Sequence, residues 1–301
     1  MDFLKRYPIP IAGLILGLFA LGNLIQSYSA DARIALGVTA LVLYVPYLLK
    51  VAVLNVKLRE PLDNPVAASV FPTFTMATML LAGYVKPYSA GCASIIWYAG
   101  LAGHVLLIIW FTMKFLLRNF AIKKVFPSWF IVYVGIAVAS VSAPVTGQLA
   151  IGRYAFWFAF VTYICLLVIV CKRVFLVGEI PAPAMPTTVI FAAPASLLLA
   201  GYMVSFPEKE AWIVYLLFAM SMFFWVVGMM YFAKTFRGAF MPSHSAFTFP
   251  LVISGIATKM SAQFTGFSWQ GAFADIQTLI AAVIVLWVLA RYVMFLFNGA
   301  K

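Results

Sequence analysis

Residues 240–255 read FMPSHSAFTFPLVISG. The run is apolar, yet Pro242 opens it and Pro250 stands inside it, directly behind the bulky Phe249. Proline in a helix interior removes a backbone hydrogen bond and clashes with the preceding turn. A helix breaker beside an aromatic ring, at the depth of a membrane, is the feature from which the fold is read.

The same pattern recurs upstream. IPIAGLILG begins at Ile9, FPTFTMATM at Phe71, FPSWFIVYVG at Phe126 and MPTTVIFAAP at Met185, ahead of MPSHSAFTFP at Met241. Each has an apolar residue and then a proline, and four of the five continue with Ser or Thr. Pro10, Pro72, Pro127, Pro186 and Pro242 are spaced by 62, 55, 59 and 56 residues. A helical span takes about 20 residues, so each interval holds two spans and a connection. The spacing predicts a fivefold repeat of a helical hairpin.

Composition agrees. Of 301 residues, 65% are hydrophobic and 9% charged, a balance that excludes a soluble globular domain. The expected fold is an all-α integral membrane domain over residues 1–301. Its ten transmembrane helices fall near 8–27, 34–54, 66–85, 89–113, 128–147, 154–171, 186–206, 211–233, 243–258 and 276–297. The N-terminal MDFLKRYPIPIAG reads as the start of the first span rather than a cleaved signal. Cys92, Cys165 and Cys171 have neither metal nor redox spacing and read as packing residues.

The net charge of +12 is a matter of topology rather than of nucleic acid. With ten spans, Arg33, Lys86, Arg153, Lys209 and Lys259 fall on one side. The other fifteen of the twenty basic residues, Lys57, Arg59 and Lys301 among them, fall on the side of the termini. The positive-inside rule then puts both termini in the cytoplasm of a cell membrane, plasma or inner.

Proline is favoured in the first turn of a helix, where the missing N–H has no partner. Each odd span is therefore expected to begin at its proline and run outward. Gly17, Gly135, Pro194 and Pro250 follow seven or eight residues in, as breakers at a common depth. The even spans, such as HVLLIIWFTMKFLL, read as outer, lipid-facing helices. Five inner helices around a central pore, with quasi-fivefold symmetry, is the expected architecture.

On an α-helix the third and seventh residues after each proline share a face. The third positions are Gly13, Thr75, Phe130, Val189 and Ser245. The seventh are Gly17, Met79, Val134, Ala193 and Phe249. These predicted rings hold no charge. Five helix N-termini, each partly positive, would meet at the cytoplasmic mouth beside basic loops, which favours anions. Cation pathways display acidic rings, and none is available. His104 reads as a packing histidine, and His244 as turned away from the axis. No nucleophile, metal or cofactor motif is found, so no catalytic activity and no cofactor are expected.

These segments are similar to the tellurite-resistance/dicarboxylate transporter family, which includes plant slow anion channels. FPSWFIVYVG at 126–135, PTTVIFAAP at 186–194 and above all FTFP at 247–250 carry the likeness. The resemblance implies helical hairpins around a pore, usually in a homotrimer. It implies that Phe249, held by Pro250, closes that pore. It implies passage of small anions such as chloride or nitrate. On the same scaffold, the alternative is secondary transport of C4-dicarboxylates such as malate, of sulfite or of tellurite-related oxyanions. Ser243–His244–Ser245 departs from the aromatic residues that plant members carry just before this motif.

Overall fold

A computed structural model describes residues 2–53 and 60–298. Leu54, Lys57, Arg59 and Lys301, used above for the second span and the charge bias, lie outside the described residues. The described chain is helical throughout, without a strand.

Buried rods alternate with exposed partners. The first rod, Ile11–Ile25, is buried except at Asn23 and Ile25. The second runs Pro65–Val85 and the fourth Ala182–Ser205, with 67% and 89% of their apolar windows buried. The third is a chain of short turns, from Trp129–Tyr133 through Gly135–Ala137 and Val138–Ser142 to Ala143–Val145. The fifth joins Pro242–Phe247 to Thr248–Thr265. Their partners are Ala30–Val53, Ala90–Leu117, Leu149–Val177, Ala211–Thr235 and Gln270–Asn298. In those partners only 28–39% of each window is buried. The predicted contrast between inner and outer helices thus holds.

Each rod packs against the partner that follows it, forming a hairpin. Each rod also touches the next rod, and the fifth returns to touch the first. The contacts close into a ring. Among the described residues, seven helices are long and apolar enough to cross a membrane, and Ile11–Ile25 and Gly135–Val145 are shorter apolar pieces. The chain is a multi-pass helical membrane protein. The rods are shorter and more broken because they face one another rather than lipid.

The helix starts differ from expectation at two places. Pro10 and Pro72 do stand immediately ahead of Ile11–Ile25 and Thr73–Val85. However, the second rod already has a turn at Pro65–Val70, capped by Asn64, whose Oδ1 accepts from the Val66 and Ala67 amides at 2.9 and 3.3 Å. Pro186 lies inside a 3₁₀ stretch, Ala182–Ala192. That stretch carries two prolines, Pro183 and Pro186, and follows a third, Pro181; the tighter 3₁₀ winding suits short pieces where α-helix is disfavoured.

The breakers act by position rather than by kinking. Pro250 is the third residue of Thr248–Thr265, and Pro194 the second of Ala193–Ser205. Proline is tolerated best within the first turn of an α-helix. Each proline instead marks a junction where 3₁₀ winding gives way to a new α-helix. Gly135 likewise opens a 3₁₀ turn after Trp129–Tyr133. The reading of Pro250 as breaking a hydrogen-bond ladder is corrected accordingly. Gly17 is not a breaker at all, since Ile11–Ile25 passes through it uninterrupted.

Candidate functional site

Two cavities lie inside the ring of rods. The larger, about 700 Å³, is walled by the starts of the rods, among them Pro10, Gly13, Met76, Phe130, Ile190 and Pro242. The smaller, about 220 Å³, is walled by residues near the far ends, including Ala20, Asn23, Val141, Ile256 and Met260. Phe249 and Leu197 line both. The phenyl ring and the leucine side chain are thus common to both walls. Phe249 is buried, with 6% of its surface exposed.

Of the residues singled out from sequence, Gly13, Phe130, Val134, Gly135, Ala193, Pro194, Ser245, Phe249 and Pro250 line the larger cavity. Thr75, Met79, Val189 and Gly17 line neither. Thr75 Oγ1 lies 2.7 Å from His104 Nδ1, on the side of the exposed partner helix. Met79 packs where a Cβ on Gly100 would come within 2.9 Å of its Cγ. The Val189 backbone lies against Gly228 of the following partner helix.

Gly17 has a different role from the one expected. A Cβ there would lie 2.5 Å from Thr248 Oγ1 and 3.2 Å from the Phe249 amide nitrogen. Its missing side chain lets the fifth rod approach the first just where Phe249 begins its helix. Thr248 Oγ1 lies 2.9 Å from the Gly13 carbonyl and 2.7 Å from that of Ser245, tying the two rods together.

In the fourth rod the difference has a cause in the winding. The ring positions assume α-helical winding from each proline, 100° per residue. In the fourth rod the lining residues are Thr187, Ile190 and Ala193, at intervals of three. That is the 3₁₀ period of Ala182–Ala192. Leu197 then follows four residues later, in α-helix. In the second rod Thr73 and Met76 face the cavity instead of Thr75 and Met79. The proline-dense PAPAMP at 181–186 was the signal that could have exposed the change of winding.

Among the described residues, neither cavity is lined by Asp, Glu, Lys, Arg or His. Thr73 and Thr187 donate their hydroxyls back to Val70 and Ala184 carbonyls at 2.7 and 2.6 Å. Ser243 Oγ is buried without a hydrogen-bond partner among the described residues and borders the larger cavity. Two α-helices, Ala193–Ser205 and Thr248–Thr265, begin beside these two side chains, and the Ala193 and Thr248 amides donate to the Ile190 and Ser245 carbonyls of the 3₁₀ turns ahead of them.

Both histidines lie away from the lumen. His104 also has Nε2 3.1 Å from the Val132 carbonyl, so each ring nitrogen has a partner. His244 stacks on Phe247, with centroids 5.0 Å apart, and lies 5.9 Å from the Trp287 ring. Thr75→Val is expected to lower stability by about 1–3 kcal/mol by orphaning a buried imidazole nitrogen. Thermal unfolding in detergent checks this, and ion flux should be unchanged because Thr75 lies off both cavities.

Residues 6–294 match the family model described as voltage-dependent anion channel. The chain belongs to the voltage-dependent anion channel family. The match covers all five rods, so both cavities and Phe249 lie inside the family domain. The resemblance drawn from FTFP and its companions is thereby borne out at family level. This is a family of anion channels and transporters. No curated protein matches the chain.

Proposed function

We propose that the protein is a gated channel for small monovalent anions, such as chloride or nitrate, closed in this state by Phe249 against Leu197. The observation that carries the reading is that the two cavities meet at these two side chains. Ten spans in five hairpins would enclose the pathway, with both termini cytoplasmic in a cell membrane. Apolar side chains of the partner helices, such as Ile95, Leu106, Val168 and Phe223, would face lipid or sister subunits of a homotrimer.

The neutral lining supports a channel over a proton-coupled carrier. Such carriers commonly place Asp, Glu or His within the membrane pathway. With no fixed charge in the lumen, discrimination among small anions is expected to follow dehydration cost. The test is purified protein in liposomes, comparing chloride current with proton-driven malate uptake. Anion current with little discrimination between chloride and nitrate is the expected result. Saturable, electrically silent malate uptake without current would establish the carrier instead.

A further inference from the structure

The five basic residues at the end of the molecule away from the termini, one in each hairpin, form a belt. Arg33 Nη2 donates to the Gly83 carbonyl at 3.1 Å, reaching from the first hairpin to the second. Lys86 Nζ donates to Pro144 O at 2.7 Å, from the second to the third. Arg153 Nη1 donates to Ser205 O at 3.4 Å, from the third to the fourth. Lys209 Nζ donates to Phe206 O at 2.8 Å, just past the end of the fourth rod. Lys259 Nζ donates to Ser27 Oγ at 2.6 Å, from the fifth back to the first.

The carbonyls they reach lie at or beside the C-terminal ends of the second, third and fourth rods. Such carbonyls lack intrahelical partners, and the end carries partial negative charge. Left alone, that end of the ring would repel anions. The acids nearest in sequence are Asp31, Glu208, Glu210 and Asp275. Among the described residues none of them forms an ion pair with the five. Asp275 Oδ1 instead accepts from Tyr28 OH. A bond to a carbonyl or hydroxyl oxygen holds a cation without cancelling its charge. The belt also touches the pathway. Arg33 Nε lies 3.3 Å from Asn23 Oδ1, and Asn23 lines the smaller cavity.

We propose that this belt is an anion-gathering vestibule, in which Arg33, Lys86 and Lys259 reverse the negative ends of the rods and concentrate inorganic anions at the smaller cavity. The proposal rests on the anion-channel reading, and the experiment separates the two. A role limited to capping carbonyls is the competing explanation. A glutamine substitution removes the charge but keeps an N–H donor.

The measurement is chloride current in oriented bilayers, through Phe249→Ala protein with and without Arg33→Gln, Lys86→Gln and Lys259→Gln. In dilute salt, a unit charge about 10 Å from the path in water changes local anion concentration by about twofold. Flux entering from the belt end should therefore fall about twofold for Lys86→Gln alone and several-fold for the triple variant. Flux from the opposite end should hold. At about 1 M salt, where screening acts within ~3 Å, the difference should vanish. Equal loss from both ends at every salt, or no loss at any salt, overturns the belt while leaving the channel intact. Absence of anion current through Phe249→Ala itself overturns the channel reading and the proposal with it. Lys86 is exposed, so its single variant gives a reading even where the triple variant fails to fold.

Discussion

Phe249→Ala is expected to raise anion flux by about tenfold or more with the fold intact. The ring is one of two side chains that line both cavities, and on the proposed reading its removal joins them. A tenfold rise requires only ~1.4 kcal/mol off the permeation barrier, a small demand for clearing a steric block. The backbone around it is fixed by other groups. Thr248 is tied to the Gly13 and Ser245 carbonyls, and Ser254 Oγ donates to Pro250 O at 2.8 Å. Current through bilayers and melting temperature should be read together. A silent, destabilised variant would mean that Phe249 is packing and nothing more.

Phe247→Ala is expected to behave in the opposite way. Phe247 is fully buried and lines neither cavity. Its ring lies edge-on to Phe232 at 5.1 Å and stacks with His244 at 5.0 Å. Deleting a buried phenylalanine typically costs about 3–5 kcal/mol, counting the cavity left behind. Melting temperature should therefore drop sharply, and current should stay at the parent level. The hole opens between the fifth rod and its partner Gln270–Asn298, away from the lumen. Conduction by Phe247→Ala equal to that of Phe249→Ala would remove the distinction on which the gate rests.

Much of this was legible in sequence because the repeat is written in proline. A residue that fixes φ and lacks a donor can sit only at special places, so its period reports the period of the fold. The alternation of buried and exposed helices followed from composition alone. The exact lining was less legible. Ile190 and Leu197 sit seven apart, as α-helix would place them, yet Thr187 and Ala193 join them through 3₁₀ winding. Sequence does not announce where one winding yields to the other. Gly17 shows a second limit. Its place on the helix was found, but its use, giving room to Thr248, depends on a residue 231 positions away. Leu197 is not legible in this way, because a leucine in an apolar span carries no signal of its own.

The central claim, an anion path interrupted at Phe249, is tested most directly by the reversal potential of Phe249→Ala protein in a bilayer under a steep potassium chloride gradient. A large current reversing near the chloride equilibrium potential is the expected result. A reversal that tracks potassium, or no current above that of the parent protein, would contradict it.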